Sequence, residues 1–92
     1  MSCVYPKPGS KPLSPSEVKV GDVLFCTYHK STIPGYTPQV ARKYLVIKVD
    51  KEPWAGPKAT CVILYAHRYR NPGEISILNL PTLPIDSWGM EA

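Results

Sequence analysis

Val20-Gly21-Asp22-Val23-Leu24-Phe25-Cys26-Thr27-Tyr28, a Pro/Gly-broken stretch over 29–43, and then Tyr44-Leu45-Val46-Ile47-Lys48-Val49 decide how this chain folds. Val20-Gly21-Asp22 reads as a turn into a first strand, because Gly21 accepts the positive φ that other residues resist. Over Val23 to Tyr28 one alternating face carries Val23, Phe25 and Thr27, and the other carries Leu24, Cys26 and Tyr28. Both faces are apolar, as in a strand covered on both sides or curled into a barrel. Tyr44 to Asp50 alternates more cleanly, which predicts Leu45, Ile47 and Val49 inward and Tyr44, Val46 and Lys48 on the other face. Loops of about 12–15 residues without structure of their own are usually functional in compact domains. The connection over 29–43 is therefore the first place to look for a working surface.

Working outward, Pro53, Trp54, Gly56 and Pro57 break the chain over 51–58 and predict a hairpin loop. Thr60 to Ala66 is a third, β-branched strand, and Asn71-Pro72-Gly73 is the turn of the next loop. Ile75 to Leu80 is a fourth strand, ended by Pro81 and Pro84. Ile85-Asp86-Ser87-Trp88 reads as a short last strand or a single helical turn. Ser14-Pro15-Ser16-Glu17 has the capping-box pattern of one helical turn, with Ser14 as N-cap. Residues 1–13 read as an extended N-terminal arm and 14–92 as a single domain. No helical apolar period runs through the chain. The fold class is all-β, a small barrel of four to five strands with long loops and at most one short helical turn.

The chain has 92 residues, enough for one modest core and too few for a deep cofactor cavity, so no cofactor is expected. Eleven prolines place much of it in turns and edges, since proline cannot donate to a sheet ladder. Eleven basic residues against seven acidic give a net charge of +4. That bias suits nucleic acid or an acidic protein surface, and equally suits plain solubility. Cys3, Cys26 and Cys61 lack the spacing of a zinc or redox motif, so no metal is expected. Cys26 and Cys61 lie in apolar runs, where a reduced thiol acts as a small hydrophobe, and they pair only if their strands are neighbours. An odd cysteine count, no signal peptide and no long apolar run point to a cytoplasmic protein that does not enter a membrane.

Two basic clusters flank the second and third strands. Lys30, Tyr36, Arg42 and Lys43, with His29, lie in and beside the long loop. A guanidinium at Arg42 can hold a phosphate through two parallel hydrogen bonds, and Tyr36 offers a stacking face for a base. His67-Arg68-Tyr69-Arg70 follows the third strand. If strands two and three form an antiparallel hairpin, this cluster meets Arg42 and Lys43 in one cationic patch. His67 is the obvious acid–base group by its intrinsic pKa, although an exposed loop histidine with no chemistry is the commoner case. Trp54 is read as packed, a lid over one barrel end, with an exposed partner anchor as the alternative. Trp88 is expected to plug the core.

The order of these pieces resembles the PemK/MazF-like toxins and their SH3-like barrel relatives. The likeness lies in Val20-Gly21-Asp22-Val23, in Pro34-Gly35 within the long loop, and in Arg42-Lys43-Tyr44-Leu45-Val46-Ile47. Tyr65-Ala66-His67 and Pro72-Gly73-Glu74-Ile75 continue it. The resemblance implies an SH3-like barrel, a homodimer, and metal-free RNA cleavage by an arginine and a serine or threonine. Arg42 matches the arginine. Ala66-His67 stands where the hydroxyl residue belongs, and Lys43 replaces the usual proline. The expected function is therefore a non-catalytic nucleic-acid-interacting barrel, RNA ahead of DNA. The alternative is a protein-binding regulator or inhibitor, of the kind phages and mobile elements encode, acting through the 29–43 loop and Trp54. An endoribonuclease using Arg42 and His67 is the third reading.

Overall fold

The computed structural model of the chain describes residues 9–27, 39–67, 71–84 and 87–91. Lys30, Tyr36, Arg68, Tyr69 and Arg70, together with His29 and Cys3, lie outside the described residues. Six antiparallel strands form one sheet: β1 (Lys11–Pro12), β2 (Val23–Thr27), β3 (Val40–Glu52), β4 (Gly56–Ala66), β5 (Ile75–Asn79) and β6 (Trp88–Met90). Their order across the sheet is β1-β6-β2-β3-β4-β5. The all-β class holds. The sheet has six strands rather than four or five, and its two edges do not close on each other. Helical structure among the described residues consists of two 3-10 turns, Pro15–Glu17 and Leu80–Thr82, one more than the sequence predicts.

The additional strands are short and their partners are distant in sequence. Lys11–Pro12 pairs with Met90 and Gly89 and so ties the end of the N-terminal arm to the sheet. The turn at Pro15–Glu17 forms where the capping pattern places it. Its Glu17 N–H donates to the Ser14 carbonyl at 3.0 Å, and the Ser14 side chain caps nothing. Gly21 takes φ +96°, as its place in the turn demands.

β3 and β4 run much further than the clean alternation of 44–50 and 60–66 suggests, reaching each other through a turn at Pro53–Ala55. Val, Ile, Thr and Tyr supply nine of their 24 residues and favour a pleated, half-buried surface. The expected facing of β3 is corrected. Tyr44 and Val46 are in the core at 2% and 1% exposure, whereas Leu45 is half-buried on the outer face and Ile47 is 43% exposed. The register explains the error. Val46 stands opposite Cys61 and Lys48 opposite Thr60, so Ile47 is a bulged extra residue. A bulge shifts side-chain parity, which returns Val49 to the core face.

Leu24, Tyr44, Val46, Ala59, Cys61, Ile63, Leu80 and Met90 form the centre of the core, with Leu13 and Val18 closing it from the N-terminal side. β2 is buried on both faces, as expected: Leu24 faces this core, while Phe25 lies on the other side over Gly89. Cys26 and Cys61 are both free and buried, on β2 and β4 with β3 between them, so they do not pair. Burial pushes the Cys61 thiol up to about 11. Folded chains therefore keep a proton that unfolded chains release above pH 9, and stability should fall as pH rises from 9 to 11. Neither Cys26 nor Cys61 should react with a thiol reagent at pH 7 until denaturant is added; rapid native labelling at either would contradict this burial.

Candidate functional site

The β3–β4 hairpin brings Arg42 and His67 together at one end, while Lys30, Tyr36, Arg68, Tyr69 and Arg70 lie outside the described residues. Arg42 stands opposite Ala66, and the His67 N–H donates to the Ala41 carbonyl at 2.8 Å. Arg42 and His67 therefore occupy one end of the sheet. On the other side of β3, Arg42 pairs in register with Cys26, and Cys26 with Trp88. Arg42 lies two residues before Tyr44, and β3 pairs with β2 without a break from Tyr44 to Arg42, so Arg42 shares the face of the core at its open end. Tyr44 and Trp88 stack there, ring centroids 5.5 Å apart and planes at 22°. Tyr44 is buried and only Trp88 shows an edge, so this pair is a floor under the site rather than a platform for a base. No acidic side chain pairs with Arg42 among the described residues.

Lys43 does not belong to this patch. Successive strand residues face opposite ways, and Lys43 points to the outer face beside Phe25. Its ammonium lies 2.5 Å from Glu91 Oε1, with the two side chains 21% and 10% exposed. Glu91 Oε1 accepts no aligned hydrogen bond, so the contact with Lys43 is one of charge. Glu91 is held in turn by its N–H donating to the Val23 carbonyl at 2.9 Å. The pair is invisible to sequence reading because it needs β6 to lie beside β2. Removing Lys43 leaves a largely buried carboxylate. Lys43→Met should cost about 1–2 kcal/mol, and Glu91→Gln in the same background should recover part of it, both read by denaturant midpoints.

Trp54 is neither a lid nor packed, contrary to expectation. It is 84% exposed in the β3–β4 turn. From Arg42 to Glu52 the strand extends roughly 33 Å at about 3.3 Å per residue, so Trp54 sits at the far end of the hairpin from Arg42. Trp88 does pack against the core. Beyond these residues, an open groove of about 540 Å³ is lined by Lys11, Glu17, Lys19, Asp22, Met90 and Glu91. Its two lysines face three carboxylates, and Asp22 already accepts the Lys19 N–H at 3.0 Å, which makes it a poor anion site. No group of three His, Cys, Asp or Glu side chains could hold a metal among the described residues, and no helix there is long and apolar enough to cross a membrane. Comparison with protein-family models, curated proteins and solved structures finds no match to this chain.

Proposed function

We propose that this chain is a small non-catalytic nucleic-acid-binding module, with single-stranded RNA its favoured ligand, on a partly open SH3-like barrel of the PemK/MazF-like kind. The observation that carries it is the meeting of Arg42 and His67 at one end of the hairpin, with no acidic partner on Arg42 among the described residues. A guanidinium held by a long strand beside His67 suits a phosphate backbone. The barrel reading draws support from β6, which returns across the sheet through the Leu80–Thr82 turn to pair with β2. Binding without cleavage is favoured because Ala66, a methyl group, faces Arg42 in register where a cutting relative needs a hydroxyl. Labelled single-stranded RNA should bind at low salt and remain intact. Absence of binding at about 50 mM salt would end the nucleic-acid reading, and fragments that disappear in Arg42→Ala would convert it to an endoribonuclease.

A second reading is a protein-binding regulator that uses Trp54 and the 29–43 loop against an acidic partner. The 84% exposure of Trp54 favours it, because tryptophan is enriched among interface anchors. Partners that survive nuclease treatment in a pull-down and vanish with Trp54→Ala would favour this reading over the first.

A further inference from the structure

The tip of the β3–β4 hairpin presents one aromatic face and one free cation. Trp54 is 84% exposed in the turn. The backbone that carries it is anchored. β3 and β4 stay paired down to Glu52 and Gly56, and Gly56, at φ +74°, lies so close to Pro81 that a Cβ there would be 2.7 Å from Pro81 Cγ. The Leu80–Thr82 turn, whose Leu80 is in the core, therefore buttresses the tip. Lys51, opposite Pro57, is exposed and pairs with no carboxylate among the described residues. Its neighbours Asp50 and Glu52 face the other side of the strand, where they sit 3.7 Å from Lys48 and 3.9 Å from Lys58.

A tryptophan that anchors a protein partner sits within a surround of packed contacts that keeps water out. Trp54 lacks the apolar part of that surround. Among the described residues the nearest exposed aliphatic side chains on the hairpin and its neighbour strand are Ile77, opposite Thr60, and Ile47. They stand about 13 Å and 16 Å along the strands from the turn. A nucleobase needs less: one π-face, which any base can use, and a cation for the phosphate beside it. We propose that Trp54 is a base-stacking contact for single-stranded RNA, with Lys51 taking a neighbouring phosphate, at the opposite end of the hairpin from Arg42. The proposal rests on the RNA reading of the Arg42 end and adds a footprint to it. The two contacts are roughly 33 Å apart and a stacked strand rises about 3.4 Å per nucleotide, so about ten nucleotides engage both. Stacking reads no base edge, so the Trp54 contact is tolerant of sequence.

Fluorescence polarisation of the full chain with an oligouridine of about 12 nucleotides, and with an abasic strand of the same length, tests this on wild type, Trp54→Ala and Trp54→Phe. The exposure of Trp54 means that neither substitution opens the core. Trp54→Ala should weaken oligouridine binding about 5- to 150-fold, the worth of one stacked base, with the salt slope unchanged because no phosphate contact is lost. Trp54→Phe keeps an aromatic face and should recover most of that loss. The abasic strand keeps the phosphates and lacks the bases, so wild type and Trp54→Ala should bind it equally. Wild type and Trp54→Ala binding oligouridine with the same affinity would overturn the stacking contact and leave the Arg42 reading standing. So would an equal loss on the abasic strand, or a Trp54→Ala chain that keeps its RNA affinity while losing a protein partner. A wild-type chain that binds neither strand would overturn both.

Discussion

Leu80→Ala should destabilise the chain by about 2–5 kcal/mol, the range for truncating a fully buried leucine. Leu80 is 0% exposed although it sits in a three-residue 3-10 turn rather than in a strand. The turn packs this side chain on the core as the chain leaves β5 for β6. For a domain of this size each kcal/mol moves Tm by about 4–8 °C, so a fall of at least about 8 °C is expected. Val20→Ala, at a position 63% exposed, should stay within about 0.5 kcal/mol of wild type. Equal losses for the two variants in a thermal scan would mean that the turn does not seal the core.

Gly89→Ala should cost about 1–3 kcal/mol for the opposite reason, overfilling. A Cβ at Gly89 would lie 2.5 Å from Phe25 Cζ and 3.0 Å from both Cε atoms. Phe25 is 6% exposed and is the register partner of Gly89, so its ring has little room to withdraw. The conformational gain from replacing a strand glycine, about 0.5–1 kcal/mol, is smaller than this collision. Phe25→Leu removes the far edge of the ring, so Gly89→Ala should cost markedly less in that background. A double-mutant cycle with no coupling would show that the ring and the glycine are not in contact.

The parts of the fold legible in the sequence are those set by neighbours along the chain. The two apolar faces of Val23–Thr27 announce a strand covered on both sides, and Pro53-Trp54-Ala55-Gly56 announces the turn of the hairpin. Antiparallel geometry then places His67 beside Arg42 with no further information. Alternation failed at Ile47 because a bulge depends on how two strands fit, not on the apolar pattern of one. It also hid the separation of Arg42 from Lys43, whose adjacency in sequence means opposite faces in a strand. Lys11–Pro12 on Gly89–Met90 and Lys43 on Glu91 join residues far apart in the chain, which no local pattern encodes. Trp54 misled because its bulk suggests burial, while a tight turn at the tip of a long hairpin has nothing to bury it against.

What remains central is whether Arg42 holds a phosphate. Binding of single-stranded RNA measured by fluorescence polarisation between about 50 and 200 mM salt answers this directly, because each phosphate contact adds about 0.7 to the slope of log affinity against log salt. Wild type should bind with a steep slope, and Arg42→Ala should bind more weakly with a slope shallower by about 0.7. Identical slopes and affinities for the two proteins would contradict the assignment of the Arg42–His67 end as a nucleic-acid surface.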